Sequence, residues 1–375
     1  MNRKQLFFII ILGIFVFALI LVGCTKKSTT TPEDEPQTVA IFVDTNTYNL
    51  LKSEIDRYKS GVENDLNANV QLFVDDFTSP NEIRNNLIQL KNQNLRGSIL
   101  IGSIPIPYFE SDKPFVGGGG NLLPSDRYYM YLESTDFIDQ PNNVKLEYDK
   151  YHFKNTDKLL NKLYLSARKP IIENNLKLLK NYFNRNHLYR TNQIQPQQNL
   201  FTYSMDIQSG PSGATYEIYE NNMKESYYYT NLYSRDQVFL FVNTSKSDFL
   251  KELDKSYETA TINAHGNWYD QQIGTGITVD DIKEAKPKPY FYYLLSCSNG
   301  DFTKEDYLAA HYLFDGNGLI VLAYTIPALL GADESKFYLE NLAQGDIFGD
   351  AFIKVQSRVN ELHATIIGDP TLKIR

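Results

Sequence analysis

Short runs of consecutive apolar residues recur along the chain and are separated by polar or turn-forming segments. They are rich in Val, Ile, Leu, Phe and Tyr, a composition that favours strands buried on both faces of a parallel sheet. The runs are Val39–Val43, Val70–Val74, Ser98–Gly102, Val238–Val242, Ala260–Asn263, Tyr290–Leu295 and Leu319–Ala323.

Segments with apolar residues at helical spacing lie between these runs. The pattern predicts helices over Leu50–Leu66, over Glu82–Leu90 after a Ser79-Pro80 cap, over Ile171–Phe183 and within Phe337–Val359. Because strands and helices alternate, the pattern indicates the α/β class with a mostly parallel central sheet.

The length that follows the first 37 residues suggests two α/β subdomains, 38–190 and 191–375, within one domain of 38–375. The stretch 111–235 is interpreted as connections plus the helix beginning at Ile171, with a Gln/Asn-rich turn near 192–199.

The first residues carry an export pattern. A positively charged segment at 2–4 precedes an apolar run from Leu6 to Gly23, which is typical of a signal peptide. The run is also long enough to span a bilayer, so a retained membrane helix is the alternative. Its end, Leu-Val-Gly-Cys at 21–24, resembles the lipobox of bacterial lipoproteins. This resemblance implies that 1–23 are removed and that Cys24 is acylated.

Residues 24–37 are polar and charged throughout, which predicts a flexible tether between the lipid and the folded part. The protein is therefore expected outside the cytoplasm and anchored to a membrane by lipid. Thr25 is not acidic, which by resemblance to lipoprotein sorting favours the outer membrane in a diderm host. In a host without an outer membrane, the protein is expected on the outer face of the cell membrane.

Charge and cysteine content restrict the function further. The net charge of −8 argues against a nucleic-acid partner, since phosphate binding needs a basic surface. Of the two cysteines, the lipobox uses Cys24, so the mature protein has no disulfide framework and Cys297 is a lone thiol. A lone cysteine after an apolar strand is often a small buried hydrophobic residue, which is the plain alternative to a reactive one.

Two of the predicted strands end in residues that carry chemistry. The run at 260–263 leads into Ala264-His265-Gly266, and the run at 290–295 leads into Ser296-Cys297. Ligands of open α/β sheets bind at the carboxyl ends of strands, so both side chains are expected at that edge. There a thiolate acts as nucleophile and an imidazole moves its proton. The N–H groups of Gly266 and Cys297 are candidate oxyanion donors.

Other chemistries have less support in the sequence. The remaining histidines, His152, His187, His311 and His363, lie outside any H-E-x-x-H pattern, so no metal site is predicted. Patterns for phosphate-binding loops and for serine hydrolases are missing from the sequence. His311 and His363 are kept as alternative partners of Cys297. No cofactor is predicted, and a need for structural Ca²⁺ is left open.

The order of several motifs resembles the gingipain family of clan CD cysteine peptidases, the group that includes the caspases. Ser103 and Ala167 depart from the Asp and Gly usual in that family, and both lie outside the His/Cys pair. The similar segments are A-H-G-N-W at 264–268, L-L-S-C-S-N-G at 294–300, L-R-G-S-I-L-I-G-S-I-P at 95–105, S-D-R-Y-Y at 125–129, 163–170, 317–323, 347–352 and I-I-G-D-P-T-L-K-I at 366–374.

This resemblance implies a caspase/gingipain-like α/β/α fold that hydrolyses peptide bonds. Cys297 is then the nucleophile, His265 the general acid/base and Gly266 part of the oxyanion site, with Asp126 as the candidate for a third, acidic member. The substrate is expected to be a protein or peptide. The alternative is a catalytically inactive, peptidase-like surface lipoprotein with a binding or structural role. The oligomeric state is not predicted.

The resemblance also implies where the side chain before the scissile bond binds. The loop Thr325–Gly331, which follows the strand ending at Tyr324, stands where the family builds the wall of its P1 pocket. This loop contains no charged residue, so strict specificity for Arg or Lys is not expected. Its wall residues are Thr325, Ile326, Pro327 and Ala328.

Overall fold

The computed structural model describes residues 36–110, 122–130, 132, 138–139, 144–145, 165–168, 175–205, 224, 227, 230–327, 334–359 and 364–374. Gln37–Arg375 forms one compact unit. The export segment 1–23, the lipidation site Cys24 and the wall residue Ala328 lie outside the described residues, as do His152 and His363.

The strands match the predicted apolar runs and add several that the pattern did not indicate. In chain order they are β1 (Thr38–Val43), β2 (Asn69–Val74), β3 (Leu95–Ile101), β4 (Tyr108–Glu110), β5 (Leu122–Pro124), β6 (Ile138–Asp139), β7 (Val144–Lys145), β8 (Leu165–Arg168), β9 (Gln197–Ser204), β10 (Val238–Val242), β11 (Tyr257–Asn263), β12 (Asp270–Gln271), β13 (Ile277–Thr278), β14 (Phe291–Leu295), β15 (Ile320–Tyr324) and β16 (Ala364–Gly368).

The helices lie between these strands, and within the described part of the chain none is long and apolar enough to cross a bilayer. They are α1 (Thr45–Leu66), α2 (Pro80–Leu90), α3 (Arg127–Met130), α4 (Asn175–Arg190), α5 (Lys246–Leu253), α6 (Val279–Ala285), α7 (Leu308–Phe314), α8 (Glu334–Ala343) and α9 (Phe348–Val359).

A ten-stranded sheet in the order β10-β9-β11-β14-β15-β16-β8-β3-β1-β2 forms the centre of the unit. All neighbouring strands are parallel except β15 and β16, which are antiparallel. The α/β class with a mostly parallel sheet is therefore confirmed. The strands of the two predicted subdomains occupy opposite halves of this one sheet and meet where β16 lies beside β8, while the subdomain boundary itself stays a prediction.

The interpretation of 111–235 as connections plus one helix is wrong, because Gln197–Ser204 is a strand inside the main sheet. It pairs in parallel with both β10 and β11. The pattern hid this strand because Thr202 and Ser204 interrupt its apolar residues, although both are buried. The strand sets the position of β11, whose end carries His265.

The core lies on both faces of the sheet, as a parallel sheet covered by helices requires. Side chains alternate between the faces: Tyr292 and Leu294 pack in one apolar cluster, and Phe291, Tyr293 and Leu295 pack in another. Every residue of β14 is buried. Burial along its whole length fixes both the register of this strand and the level at which it ends.

Candidate active site

His265 and Cys297 leave two neighbouring strands at the same level. Asn263, the last residue of β11, pairs with Leu295, the last residue of β14. The backbone N–H of Ala264 donates to the carbonyl of Leu295 at 3.2 Å, so the ladder extends beyond the strand ends. Each of the two candidate residues lies two positions further along, and adjacent strands are separated by about 4.8 Å.

Both candidate residues also reach solvent just beyond the strand ends. Ala264 packs in the same cluster as Ile262 and Leu294, so the two strands keep the same alternation of faces up to their ends. The side chain of His265 is exposed and that of Cys297 is half-buried. A peptide at this edge of the sheet can therefore approach both groups from outside.

His265 begins a tight hairpin whose backbone is held on both sides. Gly266 pairs with Gln271 in an isolated antiparallel bridge. The two hydrogen bonds of this bridge come from Gln272 N–H to the carbonyl of His265 at 2.7 Å and from Asn267 N–H to the carbonyl of Asp270 at 3.0 Å. The hairpin therefore does not use the N–H of Gly266, which suits the predicted role of this group as an oxyanion donor.

Glycine at 266 is required by the space in this hairpin. A Cβ atom at that position would lie 2.5 Å from the carbonyl oxygen of Asp270 and 3.2 Å from the side-chain nitrogen of Asn299. The first of these contacts is with backbone, which cannot rotate away. Any side chain at 266 would therefore displace the hairpin that carries His265.

Cys297 is followed by a sharp turn with an unusual backbone conformation. Ser298 has a φ of 55°, in the left-handed region that costs a residue with a Cβ about 1–2 kcal/mol. Two bonds to the chain after β15 hold the turn, one from Ser298 N–H to the carbonyl of Ile326 at 3.2 Å and one from Gly300 N–H to the carbonyl of Tyr324 at 2.8 Å. The turn therefore leads the chain away and leaves Cys297 at the edge of the sheet.

Buried polar side chains tie the cysteine turn to the histidine hairpin. The amide nitrogen of Asn299, which is fully buried, donates to the carbonyls of Asn267 and Asp270, the latter at 3.2 Å. Buried Gln271 donates to Ser296 Oγ at 3.1 Å and accepts from the hydroxyl of Tyr312 at 2.9 Å. These bonds fix the two turns relative to each other.

Sequence reasoning did not identify Asn299 or Gln271 as part of the site. Asn299 enters the sequence analysis only as one residue of the L-L-S-C-S-N-G segment, and Gln271 has no motif around it. The one signal in the sequence is that both residues are amides, because a fully buried amide has to form hydrogen bonds. That the two amides are buried, however, follows only from the pairing of the strands.

The predicted wall of the P1 pocket lies at the end of β15, the next strand after β14. Thr325 and Ile326 are buried and Pro327 is half-buried. The hydroxyl of Thr325 donates to the carbonyl of Pro124 at 3.0 Å, which joins this wall to the segment containing Asp126.

Asp126 is buried and its carbonyl accepts from Tyr129 N–H at 2.9 Å at the start of α3. The hydrogen bond of Thr325 places the Asp126 segment next to β15, and in the main sheet β14 lies between β15 and β11. Among the described residues, no side chain forms a hydrogen bond with the ring of His265. The role of Asp126 as the third catalytic member stays a prediction.

The alternative partner His311 has other neighbours. It is buried on α7, where its Nδ1 lies 2.5 Å from Asp315 Oδ2 and its Nε2 lies 3.3 Å from Asp306 Oδ1. A hydrogen bond to Asp315 thus holds Nδ1, and Asp306 is a second carboxylate neighbour of this ring. In the part of the chain that the structure describes, no cluster of three metal-ligating side chains occurs.

Comparison with solved structures identifies the class of this fold as that of gingipain-type cysteine proteinases. The crystal structure of the Arg-specific cysteine proteinase gingipain R superposes with a TM-score of 0.62 at 12% identity, covering 92% of this chain and 79% of that one. The complex of the pro- and mature domains of RgpB from Porphyromonas gingivalis gives 0.61 at 13% identity, with coverage of 90% and 79%.

A third structure, that of a protease, gives a TM-score of 0.59 at 11% identity, with coverage of 90% of this chain and 78% of the protease chain. No family model and no curated protein matches the chain. At these identities the likeness establishes the fold, which is gingipain-like over nearly the whole described chain.

Proposed function

We propose that the protein is a cysteine peptidase in which Cys297 is the nucleophile and His265 the general acid/base. The observation that carries the proposal is the shared register of β11 and β14, since Asn263 and Leu295 pair and each candidate residue follows by two. The gingipain-like fold supports the proposal, because ligands of α/β sheets bind at the carboxyl ends of the strands, where β11 and β14 lead into the two candidate residues.

The first half of the proposed reaction forms a thioester. His265 takes the proton of the Cys297 thiol, and the sulfur attacks the carbonyl carbon of the scissile peptide bond. The carbonyl oxygen becomes an oxyanion, which the N–H of Gly266 stabilises. The tetrahedral intermediate then breaks its C–N bond, and His265 gives its proton to the leaving amine.

The second half releases the acyl group. His265 takes a proton from water, and the resulting hydroxide attacks the thioester carbon. The C–S bond breaks, the acyl product leaves as a carboxylic acid, and the Cys297 thiol regains its proton from His265. The free enzyme is restored with no net change in its own atoms.

The proposed location is outside the cytoplasm, on a membrane, through a lipid on Cys24. Its support is the lipobox-like end of the apolar run and the polar tether that follows it. Mass spectrometry of the protein from its host membrane should find diacylglycerol and an acyl chain on residue 24, and Cys24→Ser should abolish both. An unmodified Cys24, with residues 1–23 still attached, would contradict the anchor.

A second candidate function is a peptidase-like surface lipoprotein without turnover. Two observations favour it: the departures at Ser103 and Ala167 from the family pattern, and the exposed His265 ring, which has no hydrogen-bond partner among the described residues. Such a protein would bind peptides at the same edge without cleaving them.

The experiment that separates the two candidates is a cleavage assay on a mixed peptide library. The wild type should cut a defined subset of peptides, and Cys297→Ala and His265→Ala should each lose cleavage while keeping the wild-type circular dichroism spectrum and melting temperature. Cleavage retained by Cys297→Ala would rule out this nucleophile. Binding without cleavage by the wild type would favour the second candidate.

Asp126 can be tested in the same assay. If it orients His265, Asp126→Asn should lower kcat for every substrate and leave KM nearly unchanged. If instead its carboxylate serves the wall at Thr325, the substitution should alter which residue is accepted before the scissile bond. The matched control is Asp75→Asn, which changes an exposed carboxylate elsewhere on the surface. It should leave kcat and the choice of residue before the scissile bond unchanged.

A further inference from the structure

Trp268, three residues after His265, presents a large aromatic side chain to solvent on a fixed backbone. It is the single tryptophan of the chain, and its side chain is 38% exposed. The backbone around it is anchored: the carbonyl of Trp268 accepts from Leu308 N–H at 2.8 Å, and the carbonyl of Tyr269 accepts from Val279 N–H at 3.0 Å. A side chain of this size normally contributes most when its apolar surface is covered.

The hairpin also restricts where the indole can move. Asn267 Oδ1 accepts from Tyr269 N–H at 2.8 Å, and the rings of Trp268 and Tyr269 meet edge-on with centroids 5.5 Å apart. The other large apolar residues exposed in the described chain lie on helices or on strands far from this hairpin. A rigid, exposed aromatic side chain loses little conformational entropy when it binds an apolar group.

The strand order determines which part of a substrate would meet Trp268. In the proposed reaction His265 gives its proton to the leaving amine, so the leaving half of the peptide lies toward β11. The wall at Thr325 and Ile326 lies on the other side of Cys297, at β15. The acyl half therefore lies toward β15, and Trp268 belongs to the side of the leaving group.

We propose that Trp268 is a specificity-determining residue that binds a large apolar or aromatic side chain in the first two residues after the scissile bond. This inference rests on the proposed peptidase function. The peptide half that leaves with the new amine is then held against the indole while His265 protonates it. Substrates with Gly or Asp at those positions gain nothing from this contact.

Binding can be measured without turnover in the Cys297→Ala protein. Its one tryptophan makes emission specific to this position. Short peptides with a free amino end and Phe or Leu in the first two positions should shift the emission in a saturable manner. Matched peptides with Gly there should need at least about five-fold higher concentration. Equal affinities for both sets, or no emission change with either, would overturn the inference.

Cleavage provides the second readout. Trp268→Ala should lower kcat/KM roughly five- to ten-fold for peptides with Phe or Leu after the scissile bond and should leave peptides with Gly there unchanged. Trp268→Phe should restore most of the preference. Phe239→Ala is the matched control, since Phe239 is 39% exposed on the edge strand β10. A uniform loss over all peptides would indicate a structural role and overturn the inference.

The two readouts separate the failure of this inference from the failure of the proposed function. If the wild type cleaves no peptide, the peptidase proposal fails, and the fluorescence titration alone decides whether Trp268 binds apolar residues. If the wild type cleaves but Trp268→Ala keeps the wild-type preference, the peptidase proposal stands and the role of Trp268 is wrong.

Discussion

Asn263 and Leu295 lie opposite each other as the last paired residues of β11 and β14. His265 and Cys297 follow this pair by two residues each, in the turns that leave the two strand ends. The pairing therefore starts both turns at the same level of the sheet, which is the arrangement that the proposed chemistry needs.

Asn299→Asp should damage the site by replacing a hydrogen-bond donor with a charged acceptor. The substitution keeps the shape of the side chain, but a carboxylate oxygen replaces the nitrogen that donates to the carbonyls of Asn267 and Asp270. We expect a loss of about 1–3 kcal/mol in the free energy of unfolding and a fall in kcat.

Urea unfolding and the library assay measure these two effects. Asn85→Asp, on an exposed position of α2, is the matched control and should change neither. An Asn299→Asp protein with wild-type stability and kcat would mean that this amide does not hold the two turns together.

Gly266→Ala should lower the rate of peptide cleavage on the order of 100-fold at a modest cost in stability. The new Cβ would lie 2.5 Å from the carbonyl oxygen of Asp270, so the hairpin has to shift and His265 shifts with it. A misplacement of about 1 Å can cost on the order of 100-fold in rate.

The control for this prediction is Gly276→Ala, in the same region. Gly276 has a φ of 99°, but a Cβ there meets nothing within 4 Å. The Gly276→Ala protein should lose only about 1–2 kcal/mol in the free energy of unfolding, because of backbone strain, and should keep its kcat. Cleavage by Gly266→Ala at the wild-type rate would show that the hairpin tolerates the displacement.

The parts of this fold that could be predicted from sequence are those where burial produces a simple pattern. β14 is a continuous apolar run before Ser296-Cys297, and β11 ends in a short segment of alternating apolar and polar residues before Ala264-His265-Gly266, so both strands and both candidate residues could be predicted. α7 was not, because every residue from Leu308 to Phe314 is buried and the helix has no polar face to give it a period.

The polar contacts of the site could not be predicted for a different reason. Gln271 meets Ser296, and Asn299 meets Asp270, only because two distant segments pair in one register. No local pattern encodes such a contact. The same holds for β9, whose Thr202 and Ser204 are buried because the strand pairs inside the sheet.

Asp369→Asn should destabilise the fold without changing the chemistry. Asp369 lies in the G-D-P-T-L segment and is fully buried, where it accepts from Arg190 Nη2 at 2.6 Å and from Asn186 Nδ2 at 2.7 Å. Removing its charge leaves a buried guanidinium partly uncompensated, which should cost about 3–5 kcal/mol. The kcat of the folded protein should stay the same.

The comparison for this prediction is Asp254→Asn. Asp254 pairs with Lys288 at 2.8 Å, but both side chains are largely exposed, so its loss should cost less than about 1 kcal/mol. Equal effects of the two substitutions in urea unfolding would contradict the structural role of the buried pair.

Asp281 should make the stability of the fold depend on pH in the acid range. Burial opposes its ionisation, but hydrogen bonds from Lys246 and from Thr278 outweigh burial and hold the pKa of Asp281 below its usual value. An acid with a lowered pKa stabilises the fold above its unfolded pKa of about 3.9, and this contribution is lost as the pH falls through the folded pKa.

The difference in unfolding free energy between wild type and Asp281→Asn should therefore be about 1 kcal/mol at pH 5–7 and shrink below about pH 4. Urea unfolding at several pH values measures it. Glu284→Gln, an exposed carboxylate on the same helix, should show no such pH dependence. A difference that grows as the pH falls would contradict the assignment.

The most direct test of the central claim is the modification of native protein by a peptidyl acyloxymethyl ketone, located by mass spectrometry. This reagent alkylates a thiol that a neighbouring base has activated. One adduct is expected, on Cys297, formed at neutral pH in the wild type and at least about 100-fold more slowly in His265→Ala. Absence of the adduct in native wild type, or equal rates in the two proteins, would contradict the central claim.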